Sequence, residues 1–326
     1  EEIKKIEDLI IGWRRDFHQN PELSFKEHRT GKIISEELES MGISPKINVG
    51  KTGVTADLKF GDGKKIGLRA DMDALPIQET TNLKFKSKND GVMHACGHDG
   101  HMAILLGVAK ALTQNGEKFN GTIRFIFQPA EEGLGGARYM IKDGCLDGLD
   151  EIYGLHLWNY QPLGEVGVQD GPVMAAADMF DINIKGVGGH GAAPQGTVDT
   201  IIVAAHLTQA FQTIISRNTN PLDNTVITIG KIKGGNNFNV IADEVNLAGT
   251  TRAYTEENRN LIKSRMEEII HGTASTFGAN ITLNYRDGYP PTINHSKPTE
   301  NILNASRKVV GKKAGDLYLS MGGEDF

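Results

Sequence analysis

Hydrophobic and polar residues alternate along the first half of the chain with the periods of helices and strands. Apolar residues recur every three or four positions in residues 1–19, and a second such stretch covers residues 24–41, so both are predicted to be helices. Shorter apolar runs bounded by turn-forming residues predict four strands, at residues 52–60, 65–70, 122–127 and 151–157. Two further helices are predicted at residues 99–114, with Asp99 as the N-cap, and at residues 136–142.

The order of these elements predicts the fold of the first domain. Strands alternate with helices, which is typical of α/β domains whose strands run mainly parallel. Residues 122–127 are almost entirely apolar, and such a run indicates a strand that is buried on both faces. We therefore predict an α/β fold with a mainly parallel sheet and helices on both faces.

The pattern changes near Asp178, where apolar and polar residues begin to alternate as in a strand with one solvated face. The elements predicted after this strand are a helix at 198–216, strands at 225–232 and 244–254, a helix at 256–277 and a strand at 280–285. This β-α-β-β-α-β order is that of the ferredoxin-like split unit. We predict that residues 174–287 form an inserted ferredoxin-like α+β domain. Residues 1–173 and 288–326, with a helix at 297–310 and a strand at 317–319, are predicted to form the first domain.

Composition narrows the classes of function. With 326 residues, of which 39% are hydrophobic and 23% charged, the chain is expected to be a soluble globular protein of two domains. The net charge of −6 is not that of a nucleic-acid-binding protein. No stretch reaches the roughly 20 apolar residues of a membrane span, and the polar start at residues 1–5 is not typical of a signal peptide. The only cysteines, Cys96 and Cys145, favour a reducing, cytoplasmic compartment, with Cys145 as a packed core residue.

Side chains that bind metals collect at one edge of the predicted sheet. Cys96 and His98 stand at the start of the 99–114 helix, where one intervening glycine lets both turn toward the same point. Other candidate ligands stand at the ends of the predicted strands: Asp71, Asp73, Glu131 and Glu132 follow their strands, and His156 lies near the end of its strand. Ligands of open α/β sheets bind at the carboxyl ends of the strands, and zinc-like metals take thiolate, imidazole and carboxylate. The sequence therefore predicts a metal site at this edge.

Two other interpretations use the same parts of the chain. Cys96 could instead be a nucleophile with a nearby histidine as its base. The glycine-rich residues 186–191 could cradle a phosphate, but they lack the Lys-Ser/Thr ending of a P-loop and the flanks of a dinucleotide site. Within this segment, His190 is either a solvated loop residue or, on a mobile lid, a side chain that reaches a substrate.

Seven short motifs extend over nearly the whole chain. They are RRDFH at 14–18, NPELS at 20–24, RADMDALP at 69–76, HACGHD at 94–99, FQPAEE at 127–132, GGHG at 188–191 and GGEDF at 322–326. This set resembles the M20 metallopeptidase family, and within it the amidohydrolases that act on N-acyl amino acids, hippurate and auxin–amino acid conjugates. The pairing of the fourth and fifth motifs is specific to that branch.

The resemblance implies a role for each residue of the predicted site. It implies two divalent metal ions (Mn, Zn, Ni or Co), for which the ligands are Cys96, His98, Glu132 and His156. Glu131 would be the general base and Asp73 the carboxylate that orients a ligand. Asp71 stands where the wider family has a ligand histidine, so Cys96 is expected to compensate and Asp71 to be structural. In the family a further ligand histidine comes after the GGEDF motif, with which the present sequence ends.

The inserted domain would be a lid. His190 matches a histidine that, in the family, reaches a substrate oxygen across a dimer interface. Asn239 and Arg252 match lid residues that hold the substrate carboxylate, a task that suits the forked guanidinium of arginine. The resemblance thus implies a homodimer formed through the lid.

The implied activity is that of a metal-dependent amidohydrolase acting on linear amides. The substrate would be an N-acyl amino acid with an acetyl, benzoyl or similar acyl group, cleaved by a metal-activated water with Glu131 as general base. One alternative is a dipeptidase or carboxypeptidase of the same family, because the shape of the acyl pocket decides between these substrates. The other is a catalytically silent metal-binding paralogue, against which the presence of Glu131 argues.

Overall fold

The computed structural model describes residues 2–115 and 119–326, which form two compact units. The first unit comprises Glu1–Leu163 with Asp325–Phe326, and the second comprises Gly164–Glu324. Glu1, with which the first predicted helix begins, lies outside the described residues. The predicted boundaries at residues 174 and 287 remain a prediction.

The described residues contain helices of very different lengths. The helices are α1 Glu2–Lys5, α2 Glu7–Gln19, α3 His28–Ser40, α4 His98–Asn115, α5 Glu131–Leu134, α6 Gly136–Lys142, α7 Thr200–Thr213, α8 Glu256–Phe277 and α9 Ser296–Val310. Short 3-10 turns occur at Pro194–Gly196 and Gly311–Lys313, and α7 continues into a π-helical turn at Ile214–Asn218. None of the helices in the described ranges is both long and apolar enough to cross a membrane.

The strands fall into two main sheets and three small ones. The strands are β1 Pro45–Val49, β2 Gly53–Lys59, β3 Lys65–Asp71, β4 Thr122–Gln128, β5 Glu151–Gly154, β6 Val166–Gly167, β7 Gly171–Met174, β8 Ala176–Lys185, β9 Gly189–His190, β10 Thr225–Gly234, β11 Val240–Ile241, β12 Glu244–Ala253, β13 Asn280–Tyr289, β14 Thr292–Asn294 and β15 Ala314–Gly315.

The sheet of the first unit has the order β1-β2-β4-β3-β5 and is mostly parallel. Strands β3, β4 and β5 run in the same direction, whereas β2 is antiparallel to both of its neighbours. Along β4, Phe125 and Phe127 pack in the core with α2, α3 and α4, while Ile126 packs with Met140 of α6. Helices therefore cover both faces of the sheet, as the uninterrupted apolar run of β4 predicts. Cys145 is buried beside Met140, as expected for a packing residue.

The second unit contains the antiparallel sheet β10-β12-β8-β13. The residues Phe180, Ile182 and Ile184 of β8 alternate into a core with α7 and α8, and their neighbours along the strand are more exposed. The long elements β8, α7, β10, β12, α8 and β13 follow the predicted β-α-β-β-α-β order.

Several local predictions are wrong. Asp99 does not cap α4 from outside but lies within its first turn, and its carboxylate accepts hydrogen bonds from Arg14 and His18. The strand predicted at residues 317–319 is absent, and the pair Ala314–Gly315 bonds to β6 instead.

The predicted helix at 24–41 begins only at His28, because Phe25 adopts a left-handed backbone with φ of 59°. Strand β1 was not predicted, and β5 ends at Gly154, two residues before His156.

Candidate metal centre

Four segments of the first unit bring the predicted ligands together. Asp73 follows the end of β3, Glu131 and Glu132 follow β4, and His156 follows β5. Because these three strands are parallel, their carboxyl ends lie at the same edge of the sheet. His98 begins α4 at this edge. It is preceded by Gly97, whose φ of 95° favours glycine in the turn between Cys96 and His98.

The other three predicted metal ligands, Cys96, Glu132 and His156, lie around His98. Ligand atoms of Cys96, His98 and His156 are all within 4.8 Å of one another, and the same holds for His98 with Glu131 and Glu132. The Sγ of Cys96 is 3.5 Å from Nε2 of His156. On the other side, Nε2 of His98 is 3.9 Å from Oε1 of Glu132. The predicted ligands and Glu131 therefore form two overlapping sets that share His98, and a third group joins His98 to Asp71 and His101.

Both histidines present the same ring nitrogen to the cluster. Nδ1 of His98 lies 2.7 Å from the backbone carbonyl oxygen of Asp73, and Nδ1 of His156 lies 2.8 Å from that of Leu157. A carbonyl can only accept, so each Nδ1–H donates and Nε2 is left to face the cluster. A backbone contact of this kind fixes the orientation of metal-binding imidazoles.

Two atoms of the cluster are buried without a hydrogen bond. Nε2 of His98 and Oε1 of Glu132 have no hydrogen-bond partner among the residues that the structure describes. Leaving such groups unsatisfied typically costs about 1–3 kcal/mol each, and a shared cation would satisfy both. The donor set of thiol, imidazole and carboxylate is also the one that zinc-like metals accept, so these residues fit divalent ions.

The charges of the site attract a cation. Burial alone would lower the pKa of His98, but the carboxylates of Asp71 and Asp73 raise it to about 12. Burial also raises the pKa of the Cys96 thiol and of the Glu132 carboxyl. In the absence of metal, a proton on His98 therefore balances the surrounding negative charge, and a divalent cation bound at Nε2 would replace it.

These values also bear on the alternative of a cysteine nucleophile. A nucleophilic cysteine needs a depressed pKa, because the thiolate is the reactive form. Burial moves the pKa of Cys96 in the opposite direction. The metal-free environment of Cys96 therefore does not stabilise a nucleophilic thiolate, whereas a cation bound at the thiol would lower its pKa.

Asp73 holds the backbone of both glutamates. Its Oδ1 accepts the backbone N–H of Glu131 at 2.9 Å, and its Oδ2 accepts that of Glu132 at 3.0 Å. The hydroxyl of Ser24 donates to Oδ2 at 2.7 Å. Burial would raise the pKa of Asp73, but these bonds and His98 hold it below its usual value. Asp73 thus orients the candidate ligand Glu132 through the Glu132 backbone, and it orients His98 through its own carbonyl.

Asp71 and His101 form a support behind the candidate ligands, and this role of His101 was not predicted. The buried Asp71 carboxylate accepts from Nη1 of Arg69 at 2.9 Å and from Nδ1 of His101 at 2.5 Å. Nε2 of His101 accepts the backbone N–H of Leu157 at 2.8 Å, which holds the loop beside His156. The signal for this role was the spacing of three between His98 and His101, which places both on one face of α4.

The GGEDF motif is bonded to the same sheet edge through Asp325. Its carboxylate accepts from Arg69 at 3.2 Å, from Gln128 at 2.6 Å and from the backbone N–H of Ala137 at 3.0 Å. Arg69 also donates to Gln128 at 2.9 Å. These bonds connect the ends of β3 and β4 with the start of α6.

The predicted substrate-binding residues of the second unit do not all lie together. His190 of β9 pairs with Val240 of β11, next to Asn239, whose carbonyl accepts from the N–H of Gly191. Arg252 lies near the other end of β12. It follows Glu244, the first residue of β12, by eight residues, and eight residues of a strand span about 26 Å. Its guanidinium donates to the carbonyl of Thr251, and burial lowers its pKa. His190 and Asn239 are therefore neighbours, and Arg252 is remote from them within this unit.

Comparisons with known proteins agree with the motifs. The family model described as peptidase family M20/M25/M40 matches residues 67–326. The N-acyl-L-amino acid amidohydrolase of Geobacillus stearothermophilus is 43% identical over 334 residues, which cover 100% of this chain and 90% of that protein. The N-acetyl-L-cysteine deacetylase of Bacillus subtilis is 43% identical over 325 residues, 99% of this chain and 78% of that protein.

A solved structure is similar over the same extent. The Bacillus subtilis protein YXEP, described as a dinuclear metal-binding peptidase of the M20 family, superposes with a TM-score of 0.84 at 37% identity. The match covers 99% of this chain and 85% of that one. The predicted resemblance is confirmed, and the predicted pair of divalent ions agrees with this dinuclear relative. The chain belongs to peptidase family M20/M25/M40.

Proposed function

We propose that this chain hydrolyses the amide bond of N-acyl amino acids. The observation that carries the proposal is the pair of unsatisfied atoms, His98 Nε2 and Glu132 Oε1, directly beside a second buried carboxylate, Glu131. Relatives with 43% identity are named for the removal of acyl groups from amino acids. The ligands proposed for the two ions are Cys96, His98, Glu132 and His156.

Adjacent glutamates would divide the work of the reaction. Divalent ions at such a site lower the pKa of water toward about 7 and polarise the carbonyl of the scissile amide. Glu132 would be a ligand, so its carboxylate is not available for proton transfer. Glu131 would accept the proton of the attacking water and pass it to the departing amine nitrogen, a role typically worth about 10²- to 10⁴-fold in rate. Asp73 fixes the backbone of both residues, and so keeps the two roles separate.

The second unit is proposed to serve as the lid and as the dimer interface. Arg252 would bind the substrate carboxylate, and His190 and its neighbour Asn239 would reach the substrate together from the partner chain, where Asn239 would contribute to binding the same carboxylate. The distance between Arg252 and His190 along the sheet supports this assignment, because one copy of the unit does not present both side chains at one point. Closure over the substrate would exclude water from the reaction.

The cytoplasm is the proposed location. Both cysteines are free thiols, Cys96 in the candidate metal centre and Cys145 in the core. Such thiols persist in a reducing compartment. Recovery of the native protein in an oxidising fraction after cell fractionation would contradict this location.

The experiment that tests the function compares the parent protein with Glu131→Gln on N-acetyl and N-benzoyl amino acids and on dipeptides. The parent is expected to release free amino acid from the N-acyl substrates. The variant keeps the shape of the side chain but cannot accept a proton, so we expect turnover to fall by at least about 10²-fold, with the metal content unchanged. Near-normal turnover by Glu131→Gln would remove Glu131 from the mechanism, and cleavage of dipeptides alone would assign the chain to the peptidases.

A further inference from the structure

Three consecutive backbone amides at the end of β4 are held by two buried carboxylates. Oε1 of Glu27 accepts the N–H of Ala130 at 2.9 Å. The two oxygens of Asp73 accept the N–H groups of Glu131 and Glu132. Glu27 lies far from this loop in sequence, directly before α3, and no role follows for it from the motifs or from the comparisons.

The amide held by Glu27 belongs to a residue with an unfavourable backbone conformation. Ala130 has φ of 54° and ψ of 44°, in the left-handed region that residues with a Cβ rarely adopt. Its carbonyl accepts the N–H of Gly136 at 2.9 Å. A Cβ at Gly136 would lie only 1.7 Å from the carbonyl oxygen of Pro129. The chain thus turns sharply at Ala130, and this turn sets the direction in which Glu131 leaves the strand.

Glu27 is itself fixed in place. It is fully buried, and its Oε2 accepts the hydroxyl of Thr52 at 2.6 Å. Its two oxygens therefore join the start of β2 to the turn after β4. Burial of a carboxyl without a cationic partner is unfavourable, so its presence here indicates a specific task.

We propose that Glu27 is a positioning residue for the general base: by holding the N–H of Ala130, it maintains the left-handed turn that aims the carboxylate of Glu131. This inference rests on the proposed function of Glu131. It concerns only orientation, because Glu27 would touch neither the substrate nor the ions. A small displacement of a catalytic group can cost about 10²-fold in rate.

The experiment uses the full-length, metal-loaded protein and a matched pair of variants. Glu27→Gln retains an oxygen that can accept from Ala130, whereas Glu27→Met fills a similar volume without an acceptor. We expect kcat to fall by about 10- to 100-fold in Glu27→Met, with KM changed by less than about twofold, and to remain within about threefold of the parent in Glu27→Gln. Thr52→Val is the control, since it removes the other bond of Glu27 and leaves the one to Ala130.

Amide hydrogen exchange supplies a readout that does not depend on activity. The peptide containing Ala130 is expected to exchange at least about tenfold faster in Glu27→Met than in the parent, and at the parent rate in Glu27→Gln, while a core peptide around Leu106 stays protected in all variants. Two ions per chain are expected in each.

The possible outcomes are distinguishable. Equal loss of kcat in Glu27→Gln and Glu27→Met, or parental kcat and exchange in Glu27→Met, would overturn the inference. If Glu27→Met does not fold, faster exchange at Ala130 in folded Glu27→Gln would also overturn it. A parent protein that is inactive on every N-acyl substrate would refute the proposed function instead, and the exchange experiment would still test whether Glu27 holds the turn.

Discussion

His98 is the residue on which the chemistry of the site depends, because it belongs to both ligand sets. Its Nδ1–H is committed to the carbonyl of Asp73, and its Nε2 faces Glu132 without a hydrogen bond in the described structure. The pKa of His98 is raised to about 12 in the metal-free protein, where Asp71 and Asp73 outweigh the effect of burial. A metal ion must therefore compete with a proton at this nitrogen.

The first prediction concerns this competition. Below the raised pKa values of His98 and of the Cys96 thiol, both groups carry a proton that a bound metal displaces. We therefore expect metal binding between pH 6 and 8 to release more than one proton per chain, and the affinity to rise with pH. Calorimetry of Zn²⁺ binding in two buffers of different ionisation enthalpy measures the number released. Binding without proton release would contradict the assignment of these two ligands.

Among single residues, those predicted best from the sequence were the side chains whose chemistry is specific to metal binding. Cys96, His98, Glu132 and His156 could be placed at one edge because strand ends and a helix start are readable from the hydrophobic pattern. His101 and Glu27 were not predicted, because their roles depend on bonds to the backbone of loops that are distant in sequence. Their partners, Leu157 and Ala130, are ordinary apolar residues in sequence.

Among the elements, β8 depends on one buried ion pair. Asp178 is almost fully buried and accepts from Nε and Nη2 of Arg259 at 2.9 and 2.6 Å, as well as from the hydroxyl of Tyr285 and the N–H of Gly288. Burial would raise the pKa of Asp178, but these donors lower it below its usual value. The pair thus ties β8 to α8 and to the end of β13.

The second prediction is that Asp178→Asn lowers the free energy of unfolding of the second unit by about 1.5–3 kcal/mol, because the half-buried Arg259 loses its buried partner and keeps only the exposed Glu256. The control is Asp181→Asn on the same strand, whose ion pair with Arg286 is exposed and should contribute less than about 1 kcal/mol. Urea denaturation of the full chain measures both.

The pH dependence of this stabilisation follows from the lowered pKa of Asp178. Its contribution is fully present above the ordinary aspartate value near 3.8 and is lost as the pH falls through the lower folded-state value. The difference between the parent and Asp178→Asn should therefore be constant near neutral pH and shrink only in strong acid. Equal stability of the two proteins at pH 7 would contradict the role of the pair.

The bounds of several elements were predicted to within two residues. Helices α6 and α8 have the predicted bounds, and β3, β4 and β10 differ by no more than two residues at either end. The errors arose where tertiary contacts override local preference. Asp99 resembles an N-cap in sequence, but His18 and Arg14 engage its carboxylate. The left-handed Phe25 delays the start of α3, and nothing in the local sequence signals it.

For the whole molecule, the proposed dimer makes a quantitative prediction. If each site uses its own Arg252 and the partner's His190, the variants His190→Ala and Arg252→Ala are each inactive alone. A mixed dimer contains one site with both residues intact and one site with neither. When the two variants pair at random in equal amounts, half of the dimers are mixed. We therefore expect about a quarter of the parent activity after the two variants are unfolded and refolded together.

The result separates the two arrangements of the site. Activity no higher than that of either variant alone would mean that both residues act on the site of their own chain. Mass measurement of the refolded mixture, which must contain mixed dimers, is the control for exchange of subunits.

The two main sheets could be predicted because the strands of each have their own periodicity. A parallel sheet needs continuous apolar strands such as β4, and the antiparallel sheet needs alternation such as that of β8. The closeness of His190 to Asn239 could not be predicted, because it depends on the pairing of β9 with β11, two strands that are too short to show a pattern in sequence.

The central claim is that amide hydrolysis here requires two divalent ions held by Cys96, His98, Glu132 and His156. The most direct test is to strip the protein with a chelator and follow amino acid release from N-acyl substrates as Mn²⁺, Zn²⁺, Ni²⁺ or Co²⁺ is returned in measured amounts. We predict no turnover in the stripped protein and recovery that is complete at two ions per chain with at least one of these metals. Turnover that survives chelation, or a protein with two bound ions that cleaves no N-acyl amino acid, would contradict the account.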